Sequence, residues 1–147
     1  GPRALPIAEL YRLPGSTPHL EFTLQPGEII TAIVVPKTPA GRQSAYHKIR
    51  DRESYAFALA SAAVALELDD SRVASARIAL GGVATRPWRA RSAELSLVGQ
   101  RLTPESALTA GRAAFDAARA GAHNGFKIEL GARVVADALM IAAERTA

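Results

Sequence analysis

The sequence predicts an α+β domain in which strands come first and helices then pack on one face of the sheet. Three observations carry that reading. The stretch from Glu28 to Leu80 holds two runs of extended, apolar character, Glu28–Val35 and Val73–Leu80. From Pro87 onward, apolar residues recur at helical spacing between recognisable caps. The 147 residues are 48% apolar, ample for one core, and contain no internal repeat.

Taken in order, Gly1 to Pro26 carries Pro2, Pro6, Pro14, Pro18 and Pro26, with a turn at Pro14-Gly15-Ser16. Such a stretch breaks every periodic element and reads as a connector or the end of a preceding domain. Order begins at Gly27, and Glu28-Ile29-Ile30-Thr31-Ala32-Ile33-Val34-Val35 predicts a strand stopped by Pro36. Its two apolar faces predict cover on both sides. Lys37 to Arg42 is a turn, and a second extended piece runs over about Ser44 to Arg50. Ala56 to Leu68 is ambiguous: alanine favours helix, whereas a turn at Asp69-Asp70-Ser71 followed by Val73–Leu80 favours a hairpin.

Gly81-Gly82 ends that strand, and three helices are predicted beyond it. The first opens at Pro87, presents Trp88, Leu95 and Val98, and stops at Gly99. The second has Thr103 as N-cap, Pro104 and Glu105 in its first turn, and Leu108, Phe115 and Ala118 on its buried face. The third spans about Gly125 to Arg145 with a stripe of Phe126, Leu130, Val134, Ala138 and Ile141.

Composition removes several classes of function. Without cysteine, the chain makes no disulfide and offers no thiolate to a substrate, a zinc ion or an iron–sulfur cluster. No apolar run approaches the roughly 20 residues that span a bilayer, and no secretory signal opens the sequence, so a cytoplasmic location is expected. The net charge of +4 is spread among acids, and the Arg86, Arg89, Arg91 cluster holds one aromatic, Trp88. A nucleic-acid partner is therefore not expected. His19, His47 and His123 stand apart from one another, without metal-ligand spacing. Ser54, His47 and Asp51 lack the supporting context of a nucleophilic triad, so no catalytic residue and no metal ligand is assigned. Gly81-Gly82 lacks the pattern of a dinucleotide or phosphate loop and reads as a sharp turn.

Longer phrases go further. Leu24-Gln25-Pro26-Gly27-Glu28-Ile29-Ile30-Thr31-Ala32-Ile33-Val34-Val35-Pro36 is similar to the segment opening the C-terminal domain of molybdenum hydroxylase flavoprotein subunits. Tyr46-His47-Lys48-Ile49-Arg50-Asp51-Arg52-Glu53-Ser54-Tyr55 resembles the next block of that family, and Ala79-Leu80-Gly81-Gly82-Val83-Ala84 with Pro87, Arg89 and Ala90 resembles a third. Tyr11-Arg12-Leu13-Pro14-Gly15 and His123-Asn124-Gly125-Phe126-Lys127 are similar to segments of the periplasmic-type aldehyde oxidoreductase branch.

The resemblance implies a three- to four-stranded antiparallel sheet packed against three helices, and so prefers the hairpin at Ala56–Leu68. It implies a connector or end of an FAD-binding domain over residues 1–24 and the flavoprotein C-terminal domain over 25–147. It further implies FAD held mainly by an upstream domain, with [2Fe-2S] clusters in a small partner subunit and the molybdenum cofactor in a large one. Ile30 and Lys48 match positions that contact the flavin, and Arg86, Trp88 and Arg89 are candidates for docking a neighbouring subunit. On the residues alone, Ile30 reads first as a plain core residue, and Lys48 reads equally as an exposed strand residue. The fragment by itself is expected to lack activity. A stand-alone interaction module without redox work is the alternative, an exported complex would place the domain in the periplasm, and an apolar patch left uncovered would favour self-association.

Overall fold

The computed structural model describes residues 1–145. The chain divides into two compact units, Gly1–Pro36 and Lys37–Ala147.

The first unit has little regular structure. A single turn of helix, α1 (Ile7–Leu10), follows Pro6. An antiparallel bridge then joins Tyr11 to Phe22, whose rings lie 5.6 Å apart. Arg3 donates from Nε and Nη2 to the two carboxylate oxygens of Glu28, both at 2.7 Å, and the Gln25 N–H donates to the same carboxylate. The strand expected over Glu28–Val35 does not form. The backbone is without sheet partners there, and Ile29, Ile30, Ile33, Val34 and Val35 are all exposed. β-Branched side chains favour extended backbone, but a strand also needs a neighbour to take its N–H and C=O groups.

The Arg3–Glu28 fork sets a pH dependence for this unit. The hydrogen bonds from Arg3, then from the Gln25 amide, lower the Glu28 pKa from 4.5 to about 2. A depressed carboxylate stabilises the fold at pH values above its ordinary pKa and loses that effect as pH falls through the folded value. The Glu28 contribution is thus expected to fade between pH 4.5 and 2. A carbon-13 titration of the Glu28 carboxyl should give a midpoint near 2, returning toward 4.5 in Arg3→Ala. A midpoint of 4.5 in the unaltered chain would remove the fork.

The second unit is a two-layer α+β sandwich. A 3₁₀ turn (Pro39–Arg42) leads into β1 (Gln43–Ile49), followed by β2 (Ala60–Asp69), β3 (Arg72–Gly81) and the two-residue β4 (Trp88–Arg89). All pairings are antiparallel, and the order in the sheet, β1-β2-β3-β4, is the order in the chain. Ala56–Leu68 resolves as the hairpin. Alternation on β2 buries Ala60, Ala62, Val64 and Leu66 on one face, a period of two that no helix produces.

Two residues, Asp70 and Ser71, connect β2 to β3, both at positive φ (44° and 68°). That is the type I′ pattern whose twist matches the flanking strands. Asp tolerates the left-handed region; Ser does so less readily. Ser71→Gly should therefore raise stability by about 0.5–1 kcal/mol, seen as a higher urea midpoint. A lower midpoint would exclude this turn geometry. A bulge beyond the turn, where Glu67 opposes Ser75 and Leu68 opposes Val73, restores the inward alternation of Val73, Ala76, Ile78 and Leu80.

The first predicted helix is corrected by this sheet. Trp88 and Arg89 pair with Leu80 and Ala79 rather than opening a helix, and α2 runs over Arg91–Leu97. Pro87 precedes the short strand, where its missing N–H is not needed. The Ala90 N–H donates to Ile78 O, and the Glu94 carboxylate accepts the Ile78 N–H at 2.7 Å, finishing the ladder with a side chain. Leu95 and Val98 point to solvent, and the buried residues of α2 are Ala93 and Leu97. Gly99, at φ 77°, turns the chain back along the start of β3.

α3 (Pro104–Ala113) starts where Thr103 and Ser106 form a reciprocal capping box. It ends before Phe115, which is buried beyond the helix; Leu108 and Ala118 are only partly buried, and the buried helical face is Ala107, Ala110 and Gly111. α4 (Phe126–Glu144) buries Val134, Val135, Ala138, Leu139 and Ala142, whereas Phe126 is exposed and Leu130 and Ile141 are half-buried. The core face is rotated from the expected stripe because α4 must face both the sheet and α3. Where the helices meet, the contact is made of small residues: a Cβ on Gly111 would overlap the Ala132 carbonyl, and one on Gly131 would overlap the Phe115 ring.

Candidate functional site

Strand alternation decides where β1 presents its chemistry. Ala45, His47 and Ile49 face the helices, so Tyr46 and Lys48 lie on the other face. Lys48 stands near the end of β1, opposite Ser61, where the chain leaves the sheet into the Arg50–Leu59 loop. The Lys48 ammonium is half-buried and donates to the Ala56 carbonyl at 2.7 Å. Arg52 donates from Nε and Nη2 to the Tyr55 carbonyl next to it. Two cations thus hold two consecutive carbonyls of the loop.

That clamp has a conformational effect. Tyr55 sits at φ 52°, a left-handed conformation unfavourable for a bulky side chain, and its ring is 96% exposed. Phe57, two residues on, is 98% exposed. The loop presents two aromatic rings to solvent beside a half-buried ammonium. Gly82 fits against it: a Cβ there would meet the Ala58 backbone oxygen at 2.8 Å, and its φ is 74°. The reading of Gly81-Gly82 as a turn with close backbone approach holds at Gly82, whose carbonyl also accepts from Lys127 Nζ at 2.8 Å. The β1–β2 loop, the β3–β4 loop and the start of α4 therefore meet at one end of the sheet.

Of the two residues singled out from the sequence, Lys48 belongs to this cluster. Ile30 lies in the first unit, 53% exposed, and is not a core residue there. Arg52, Tyr55 and Phe57 were missed as site residues, although Arg52 and Tyr55 lie inside the quoted Tyr46–Tyr55 block; exposure and positive φ are not visible in sequence. Trp88 is half-buried and packs against Phe115, with ring centroids 6.2 Å apart, while Arg89 is ion-paired with Glu94 and Arg86 is exposed. Among the described residues no group of three His, Cys, Asp or Glu side chains is placed to hold a metal, and no helix is long and apolar enough to cross a membrane.

The sequence pattern of the CO dehydrogenase flavoprotein C-terminal domain matches residues 44–142. The chain belongs to this family. The aldehyde oxidoreductase FAD-binding subunit PaoB of Escherichia coli (strain K12) is 41% identical over 137 residues, covering 93% of this chain and 40% of the relative. The carbon monoxide dehydrogenase medium chain of Afipia carboxidovorans is 39% identical over 79 residues, 54% of this chain and 27% of the relative. Among solved structures, reconstituted CO dehydrogenase from Oligotropha carboxidovorans superposes with a TM-score of 0.73 at 30% identity, covering 85% of this chain and 45% of that one. The chain thus spans less than half the length of these relatives. The family's fold and the four-stranded antiparallel sheet with its helices agree.

Proposed function

We propose that this domain is an accessory part of the FAD-binding subunit of a molybdenum-containing hydroxylase, and that its Lys48 loop closes one edge of the flavin site. The observation that carries the proposal is the unsatisfied capacity of Lys48. An ammonium has three donors; among the described residues Lys48 uses one, on Ala56 O, beside rings that pack on nothing. Such a group suits an electron-rich ring or phosphate oxygen, and Tyr55 and Phe57 suit a flat aromatic surface. The glycine-rich loops that grip a dinucleotide pyrophosphate are absent from these residues, so the fit is that of an edge contact and not of a complete site. FAD, when bound, supplies transfer of electrons between iron–sulfur clusters and an acceptor. This chain's part is to hold charge at Lys48 and to shield the ring edge with its loop.

The same reading assigns residues 1–24 to the end of an FAD-binding domain and gives the complex an iron–sulfur small subunit and a molybdenum-binding large subunit as partners. Support comes from the E. coli relative, which carries FAD binding in its name and is 41% identical over almost the whole chain. Flavin titration by fluorescence quenching tests the proposal, comparing this chain with a longer polypeptide that includes the FAD-binding domain. Binding by the longer form alone is expected. Tight FAD binding by this chain alone would put the main cofactor site here and overturn the division of labour, and binding by neither would favour a scaffold role.

A further inference from the structure

On the face of the sheet that carries Ala62, Val64, Ile78 and Leu80, α4 packs against β1 and β2 and α2 against β3, while α3 packs against those two helices. On the opposite face, strand pairing sets Tyr46, Ala63, Ala79 and Arg89 in one row across all four strands. The adjacent row brings Ala65 of β2 beside Arg77 of β3. Ala63, Ala65 and Ala79 thus form a floor of methyl groups, with Tyr46 on one rim and Arg77 and Arg89 on the other. The floor and the two arginines line a shallow hollow of about 200 Å³.

This is an unusual way to finish an open sheet. The solvent face of an antiparallel sheet is ordinarily polar, and alanine is a poor strand former. Three alanines side by side on neighbouring strands therefore serve neither solvation nor strand propensity, but they do let another backbone approach closely. Charge narrows the occupant. Arg77 is exposed and makes no hydrogen bond or ion pair among the described residues; Arg89 shares its charge with Glu94; Lys48 continues the same face. The acids on this face of the strands, Glu67 and Asp69, lie out at the hairpin end, and Asp69 stands opposite Arg72.

We propose that this face docks a protein helix with a stripe of small or aliphatic residues flanked by carboxylates. The stripe would lie on the alanine floor, with the carboxylates meeting Arg77 and Arg89. A second copy presenting the same face would set like charges against one another. A nucleic acid would find a floor of methyl groups and one aromatic, Tyr46, on which to stack. The inference does not depend on flavin binding at the Lys48 loop.

Nitrogen-15-labelled chain, titrated with two synthetic amphipathic peptides, tests it. One has a Leu/Ala stripe flanked by glutamates, and the other the same stripe flanked by lysines. The glutamate peptide should shift the amides of Ala63, Ala65, Arg77 and Ala79 and bind at least roughly tenfold more tightly than the lysine peptide. Arg77→Glu, which breaks no contact of the fold, should abolish that preference, whereas Arg112→Glu on α3 should leave it. Equal binding of the two peptides, shifts confined to the helical face, or no shifts with either would overturn the proposal. So would duplex DNA shifting the same amides more strongly than the glutamate peptide, or dimerisation of the free chain through this face.

Discussion

Gly111→Val should destabilise the domain by about 3 kcal/mol, at the upper end of what overpacking a core does. A side chain there starts from a Cβ already overlapping the Ala132 carbonyl, and the obstacle is backbone of α4, not a side chain free to swing away. Relief requires α3 and α4 to separate, which opens the layer of Ala107, Ala110, Ala138 and Leu139. The loss is a large share of the roughly 5–15 kcal/mol that holds an ordinary domain together. Urea unfolding followed by circular dichroism measures it. Gly41→Val, in the 3₁₀ turn with open space around its Cβ position, is the matched control and should be nearly neutral. Equal midpoints for the two variants would mean that α3 and α4 do not approach as closely as described.

Lys48→Met in the flavin-binding subunit should weaken FAD binding about ten- to a hundredfold, since a hydrogen bond to a charged group contributes about 1.5–3 kcal/mol. Methionine keeps most of the length and apolar stem and removes the charge and the donors. The substitution also frees the Ala56 carbonyl and relaxes the loop, so affinity alone does not separate contact from support. Lys48→Arg and the melting temperature of the isolated domain separate them. A direct contact predicts substantial rescue of affinity by arginine and little change in melting. An unchanged dissociation constant for Lys48→Met would remove Lys48 from the flavin site.

Much of the second unit was legible in its residues. Thr103 and Pro104 announced a cap that forms, and Asp69-Asp70-Ser71 announced a turn that forms. Where local signals competed, the sheet decided. Pro87 and Trp88 look like a helix start, yet pairing with Leu80 and Ala79 of β3 holds Trp88 and Arg89 extended. Ala56–Leu68 has the propensity of a helix and became a loop end and a strand because β1 and β3 flank it. Glu28–Val35 failed in the opposite sense: the strand chemistry is present but no partner strand joins it. At the candidate site, the block around Lys48 places that side chain against the loop that carries Arg52 and Tyr55. The clamp of Arg52 on the Tyr55 carbonyl was hidden, because a contact three residues away in a loop leaves no periodic trace.

The order β1-β2-β3-β4 has a kinetic consequence. Each strand pairs with the one made just before it, so the sheet closes through short loops and no strand waits for a distant segment of the chain. Short-range closure loses little entropy, and chains rich in such contacts fold quickly. The slow element is α4, which returns from the end of the chain to cover β1 and β2. During synthesis, the hairpins would emerge and pair first while their apolar face waited for the last helix. The interval between the appearance of Leu66 and that of Leu139 is therefore when this domain is most exposed to aggregation.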